Sequence, residues 1–459
     1  MTISSTDLLR SLVKQNIFPA HIRRIGECSF EIQTVDEHCL ETAVIAEKTL
    51  RKVGLGNTAY LSGMLHDIGK YTFKYRDYIV KASLGESVMR GSVNHTFAGV
   101  RLILKEYHNE YNSVFEKLTA EYIAYAIGAH HCQFDLVNTD HEEVGFSHRV
   151  EDSNYQDEYI EEAIDVFKAT ESYRIVQDIF PLCVDEIRTT LNKLKSLGNK
   201  ETSFYGGLVA RLLLSSVVEG DRTSTASFMN GTSVEFEEVE WDECLGYFEK
   251  KLGKFPLNSG IAMARAELSE KCRNYVFRSD RGVHRLSLPT GSGKTLSSFR
   301  YALTYAKEHK ETERIIYVIP LLSIIDQNAK IIRDYIGGKC TILEHHSNAV
   351  FDDEKIRFDN NEAVSSKELL IENWNAPIVI TTLVQMLNTM FSDKLSCVRR
   401  FGSLCDSIII FDEVQTVPTK MLSLFNQAIT FLSHVCGADI VLCSATQPVL
   451  EKSSATFIA

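Results

Sequence analysis

Two sets of residues in this 459-residue chain have the types and spacing to do chemistry. The first is an ordered series of histidines and aspartates. His38 comes first, then His66-Asp67 in Leu-His-Asp-Ile-Gly-Lys70, then His95, His130-His131 and Asp221. Imidazole and carboxylate suit borderline divalent metals such as Mn, Fe, Co, Ni and Zn. Asp67 has two oxygens and can bridge two ions, and two ions a few ångströms apart can clamp both oxygens of a phosphodiester displacement. Lys70 lies one helical turn from His66 and Asp67, placed to steady charge on a phosphate in the transition state. Each piece also has a bland reading. A His-Asp pair arises by chance, a buried histidine is more often a hydrogen-bonded core residue, and His345-His346 is read as incidental among the 14 histidines. The ordered set within one helical region outweighs these.

The second set binds phosphate. Leu288-Pro-Thr-Gly-Ser-Gly-Lys-Thr295 follows an apolar run and precedes a helical pattern from Leu296 to Ala306. Gly291 and Gly293 let the backbone of Thr290, Gly291, Ser292, Gly293, Lys294 and Thr295 curl so that its N–H groups point at phosphate oxygens. The following helix adds its positive end. Lys294 is expected to reach the β and γ phosphates of ATP, and Thr295 to ligate its magnesium. The general pattern has Gly where this chain has Leu288, a departure that helicase loops tolerate. Ile408-Ile-Ile-Phe-Asp-Glu-Val-Gln415 then delivers two carboxylates from an apolar run, Asp412 to hold magnesium and Glu413 to orient the attacking water. Ser444-Ala-Thr446 resembles the helicase motif that couples nucleotide state to strand movement. Thr381-Thr382 and Ser323 to Gln327 fall where superfamily 2 helicases touch the nucleic-acid backbone, and ordinary helix N-caps explain them equally well.

The elements that must position these residues divide the chain. Residues 1–229 read as helical, with apolar positions at helical spacing such as Leu61, Met64, Leu65 and Ile68. This is the expected all-α metal-binding domain. Residues 230–260 mix Gly, Ser, Thr and acids and read as a linker, and the acidic run Glu235 to Glu243 reads as a solvated face. Over 261–459, short β-branched runs alternate with helical patterns: Ile315–Ile319, Pro377–Thr381, Ile408–Phe411, Ile440–Leu442 and, more weakly, His284–Leu288. That alternation predicts an α/β RecA-like domain with a mostly parallel sheet, whose ligands sit at the carboxyl ends of its strands.

Bulk properties bound the rest. The formal net charge of −12 argues against a generic nucleic-acid coat and leaves room for local basic grooves. No apolar run approaches the roughly 20 residues that span a bilayer, so no membrane partner is expected. No secretion signal is read near Met1, and the 11 cysteines form no CxxC pair. Reduced thiols in a cytoplasm fit that pattern.

A helical His/Asp metal domain followed by a helicase phosphate loop resembles the CRISPR-associated helicase–nucleases of type I systems. The likeness runs through Tyr75 to Gly99 with its Val-Asn-His-Thr-Phe-Ala-Gly, through Ala124 to His131, and through Leu212 to Arg222. Gln415, with Pro418 after it, suits a branch that replaces the more familiar final histidine of the Asp-Glu motif. The resemblance implies that His38, His66, Asp67 and Asp221 hold one divalent ion and Asp67, His95, His130 and His131 a second, from among Mn, Ni, Co, Fe or Mg. It implies nicking and then processive degradation of single-stranded DNA exposed by a guide-RNA surveillance complex, fed by ATP-driven 3'-5' translocation in the full-length protein. The chain is expected to lack the second RecA-like domain whose arginines complete such an ATP site, and so to show nuclease activity with little ATP hydrolysis. Rival readings are an HD phosphohydrolase of small nucleotides fused to an ATPase, a non-catalytic docking fragment, and a DNA-repair helicase, the last weakened by the histidine set.

Overall fold

The computed structural model describes residues 2–4, 8–26, 29–89, 93–133, 146, 150, 158–197, 202–232, 239–320, 322–346 and 373–445. Thr446 of the third helicase motif, Glu235 to Glu238 of the acidic run and the side chains of Ser323 to Gln327 lie outside that description.

The first half contains β1 (Thr2–Ser4), α1 (Leu8–Lys14), β2 (Pro19–Arg24), β3 (Ser29–Thr34), α2 (Val35–Leu50), α3 (Gly56–Leu65), α4 (Phe73–Ser83), α5 (Phe97–Tyr107), α6 (Val114–Gly128), α7 (Glu158–Lys168), α8 (Glu171–Leu197) and α9 (Thr202–Asn230). It is helical as expected, with one addition. The three short strands form an antiparallel sheet in the order β1-β3-β2. Its alternation buries Phe30 and Ile32 and turns Ser29 and Glu31 outward.

Three helices of this half approach unusually closely. A Cβ on Gly63 of α3 would lie 2.8 Å from the Ala43 Cα of α2, and one on Gly220 of α9 would lie 2.5 Å from the Thr42 carbonyl oxygen. Only glycine permits these crossings. They bring the inward faces of α2, α3 and α9, which carry the candidate ligands, within bonding reach of one another.

The second half contains α10 (Trp241–Leu252), α11 (Gly260–Tyr275), β4 (Val283–Ser287), α12 (Lys294–Glu308), β5 (Arg314–Ile319), α13 (Leu322–Ile336), β6 (Ile342–His345), β7 (Ile378–Thr382), α14 (Leu383–Phe391), α15 (Leu395–Arg399), β8 (Ser407–Phe411), α16 (Leu422–His434) and β9 (Asp439–Ser444). Six strands pair in parallel in the order β4-β9-β8-β5-β7-β6. β6 is one more strand than the apolar runs suggest. The central strands β5, β7, β8 and β9 are buried almost throughout, as a sheet covered on both faces requires.

Two sequence expectations change. The expected linker over 230–260 contains α10, whose Trp241, Cys244, Leu245 and Phe248 join Phe299 and Tyr317 in the core on one face of the sheet. Only the outer side of α10 is solvated, where Asp242 and Glu243 pair with Lys307 and Lys339. His345, read as incidental, has a structural task. The Trp374 indole donates to its Nδ1 at 3.0 Å, and burial pushes its pKa down to about 3. The two halves also share a core, in which Leu212 and Val217 of α9 belong with Phe401 and Phe431.

Candidate metal centre and nucleotide site

Helix ends deliver the first constellation. α3 stops at Leu65, and His66 and Asp67 occupy the turn that follows. α6 stops at Gly128, two residues before His130. The last carbonyls of a helix lack intrahelical donors, and here imidazoles supply them. His66 Nδ1 donates to the Gly63 carbonyl at 2.7 Å and His130 Nδ1 to that of Ile127 at 2.6 Å. His95, just ahead of α5, does the same to Val93 at 3.2 Å. With the proton on Nδ1, each ring aims the lone pair of Nε2 inward, the arrangement that metal-ligating histidines use. His38 enters from α2, whose start is fixed by a capping box of Thr34 and Glu37. Its Nδ1 lies 3.1 Å from the Ser224 hydroxyl, which itself donates to Glu41 at 2.7 Å. Ser224 therefore accepts, and the His38 Nε2 lone pair also points to the centre.

The inward nitrogens meet in pairs. Nε2 of His38 and Nε2 of His66 are 3.2 Å apart, as are those of His95 and His131. Asp67 lies between the pairs. Its Oδ2 is 3.4 Å from both His38 and His66 Nε2, and its Oδ1 is 3.7 Å from His95 and 3.6 Å from His130 Nε2. Asp221 Oδ1 closes the first group at 3.3 Å from His38 and 3.8 Å from His66. The ligand atoms of His38, His66, Asp67 and Asp221 lie within 4.8 Å of one another, and so do those of Asp67, His95 and His131. His130 faces the second group through Asp67.

These residues fit divalent cations. Facing Nε2 atoms 3.2 Å apart need a proton or a metal cation between them, and at His66 burial is outweighed by Asp67 and Asp221, which raise its pKa well above the ordinary value. Asp67 Oδ1 and His130 Nε2 are buried without a hydrogen-bond partner, and an unsatisfied buried acceptor costs about 1–3 kcal/mol. Burial opposes charge on Asp67, yet Lys70 and His66 outweigh it and hold the carboxyl well below the usual carboxylate range. Lys70 is itself buried, 2.7 Å from Asp67 Oδ2 and over the Tyr75 ring.

The sequence reading missed four participants. His21, on β2, places its ring 4.7 Å from that of His38 and its Nε2 3.3 Å from the Thr225 hydroxyl. The β2–β3 register shifts between Pro19 and His21, and such irregularities commonly re-aim a side chain beside a site. Burial and the Lys70 charge keep His21 neutral. Ser224, Glu41 and Gln33 form the hydrogen-bonded layer behind His38. Ser224 was findable, one helical turn beyond Asp221. Nothing in the sequence around His21 marks it.

The second constellation lies at the carboxyl ends of three neighbouring strands. β4 runs into the phosphate loop, β8 into Asp412 and β9 into Ser444. Gly291 and Gly293 have φ of +79° and +87°, conformations that glycine adopts without strain. Lys294 starts α12, 3.0 Å from Asp412 Oδ1 and in direct contact with Glu413. That contact and Gln415 outweigh burial and hold the Glu413 carboxyl below its ordinary value. Gln415 donates to Glu413 Oε2 at 2.6 Å and accepts from the Ser444 hydroxyl at 2.6 Å. The acid pair and the third motif are thus joined through one amide. The Ser292 hydroxyl is buried and unpartnered inside the loop, and Thr290 and Thr295 flank it. Thr382 caps α14 by accepting from the Gln385 N–H, and Thr381 donates to the His345 carbonyl.

Two family models match separate segments of the chain. The HD domain family model matches residues 35–169, and the DEAD/DEAH box helicase model matches residues 270–453. The chain is similar to the CRISPR-associated nuclease/helicase Cas3 of Haloferax volcanii, at 26% identity over 188 residues. That match covers 38% of this chain and 20% of the relative. Among solved structures it is similar in fold to T. fusca Cas3. The ADP form has a TM-score of 0.50 and 18% identity over 91% of this chain and 48% of that one. Another T. fusca Cas3 structure gives 0.50 and 17% over 93% and 50%. The chain spans about half the length of the solved relatives it matches.

Proposed function

Starting from a Cas3 homologue that joins an HD domain to a DEAD/DEAH-box helicase domain, we propose that the chain is a metal-dependent deoxyribonuclease carrying an ATP-binding motor domain. It acts on single-stranded DNA in CRISPR defence. The observation that carries this reading is the pair of facing Nε2 groups on either side of Asp67.

His38, His66, Asp67 and Asp221 hold one divalent ion, and Asp67, His95, His130 and His131 the other. Bound ions of this kind supply Lewis-acid charge and an activated water. The chain's own part is to orient four imidazoles through Gly63, Val93, Ile127 and Ser224, and to keep Asp67 ionised through Lys70. When a phosphodiester enters, Lys70, 2.7 Å from Asp67 Oδ2, is placed to steady its developing charge.

In the motor domain, residues 290–295 cradle ATP phosphates, Asp412 holds magnesium and Glu413 orients water. The partner proposed is the guide-RNA surveillance complex of a type I system, in a cytoplasm, with 3'-5' translocation by the full-length motor. No described helix is long and apolar enough to cross a membrane.

The test is circular single-stranded DNA with Mn, Ni, Co, Fe, Mg or a chelator, without ATP. The circle should be cut with at least one ion, and neither with chelator nor by His66→Ala/Asp67→Ala protein. An untouched circle together with hydrolysis of a nucleotide monoester would instead support the small-nucleotide phosphohydrolase.

A further inference from the structure

α9 carries a polar stripe that the metal centre does not use. Arg211, Ser215, Glu219 and Thr223 recur at every fourth position and so share one helix face. All four are buried, and all four are gripped by the helicase half. Arg211 donates through Nε and Nη2 to the Thr389 carbonyl at 3.2 and 2.9 Å. The Ser215 hydroxyl donates to the Arg399 carbonyl at 2.9 Å and accepts from the Gly402 N–H at 2.8 Å. Glu219 Oε2 accepts from Arg399 Nε at 2.6 Å, and its Oε1 accepts from Asn373 at 3.0 Å and from the Thr223 hydroxyl at 3.0 Å. Arg399 Nη2 reaches the Thr223 hydroxyl at 3.2 Å. Arg399 is 1% exposed.

Asp221 follows Glu219 by two residues, roughly 200° around the helix. It points the opposite way, toward His38 and His66. Gly220, between them, touches the Thr42 backbone of α2 so closely that not even a Cβ fits. α9 therefore has no slack on the metal side, and on the other side its rotation is set by a buried ion pair. Pairs of this kind add little net stability relative to apolar side chains of the same volume, while they can fix geometry.

We propose that Arg399 is a positioning residue of the metal centre. Through Glu219 it sets the rotation of α9, and so the approach of Asp221 Oδ1 to His38 and His66. Affinity for the ion held by Asp221 then depends on a side chain from the helicase half, and affinity for the ion held by His95 and His131 does not. The segment that ends at Arg399 starts at Thr382, at the carboxyl end of β7, which β5, β8 and β9 separate from β4, the strand that runs into the phosphate loop. This inference rests on the two-ion reading of the His/Asp cluster.

The test uses the full chain in calorimetric titration with Mn(II), with thermal unfolding measured alongside. The variant is Glu219→Met/Arg399→Met, which removes both charges and leaves neither unpaired. The expected result is an unfolding midpoint near that of the parent, one ion bound at least tenfold more weakly and the other unchanged. Adding Asp221→Asn to that variant should weaken the same ion by less than it does in the parent. Two ions bound with parental affinity, or both weakened alike, would overturn the proposal. Should the double variant fail to fold, Arg399→Lys is measured in the same way and read by the same outcomes. A parent chain that binds no Mn(II) would overturn the two-ion reading itself.

Discussion

Asp67 spends its two oxygens on two different neighbours, Oδ2 facing His38 and His66 and Oδ1 facing His95 and His130. Asp67→Asn leaves one oxygen and turns an amide donor toward imidazole lone pairs. Mn(II) titration should show loss of at least one of two ions, and cleavage of circular single-stranded DNA should fall by about 100-fold or more, the scale of removing one electrostatic transition-state contact. A second residue reports through stability. Burial, with Glu313 and Glu311 nearby, pushes the Asp406 pKa up to about 6 against the pull of Arg281. The unfolded chain has an ordinary value near 3.9. Folding therefore favours the protonated form. The stabilising contribution is fully present below about pH 4 and is lost as pH rises through 6. Asn carries no charge to bury and tolerates the left-handed φ of +45° at this position. Asp406→Asn should raise the thermal midpoint by a few degrees at pH 7.5, with the advantage vanishing toward pH 4. Parallel pH profiles for the two proteins would refute the assignment. The side chains that the fold gathers, His38, His66, Asp67 and Asp221 in one group and Asp67, His95 and His131 in the other, were legible as candidate ligands from residue type and order. His21 was not, since only the irregular β2–β3 pairing turns it inward.

At the scale of elements, the candidate metal centre is made from the ends of α3 and α6, the entry to α5 and the sides of α2 and α9. The turn after α3 has no room to move. A Cβ on Gly69 would lie 1.9 Å from the His95 carbonyl oxygen. Gly69→Ala must displace the backbone that carries His95. It should destabilise the protein by about 2 kcal/mol or more and weaken the ion on the His95 side, as read by denaturant unfolding and Mn(II) titration. Unchanged stability and affinity would show that this approach is looser than described. The strands of the parallel sheet were legible as apolar β-branched runs, because strands covered on both faces admit little else. β6 was not, because Ile342-Leu-Glu-His is short and half-buried and reads as a loop. α10 was hidden by its acids, which mask an apolar face formed by Trp241, Cys244, Leu245 and Phe248. The small antiparallel sheet shows alternation only over Ser29–Ile32, a short period that reading for helices passes over.

The chain carries a formal net charge of −12, so the proposed DNA substrate would have to be held locally rather than by a general field. The candidate nucleotide and metal sites lie in different halves that share one core through α9. Lys294→Ala removes the cation that touches Asp412 and Glu413. Binding of a fluorescent ATP analogue should be lost, while metal-dependent cutting of circular single-stranded DNA without ATP stays within about twofold of the parent. Loss of both together would mean that the phosphate loop supports the nuclease centre structurally. The seam between the halves was the least legible feature. Arg211, Ser215, Glu219 and Thr223 have helical spacing, but their partners lie more than 150 residues away, and no local pattern names them. The most direct measurement for the molecule as a whole is anomalous scattering at the manganese edge from crystals soaked in Mn(II). Two peaks about 3.5–4 Å apart, with Asp67 between them, are expected. Their absence, or density away from His38, His66, His95, His130, His131 and Asp221, would contradict a two-ion nuclease centre in this chain.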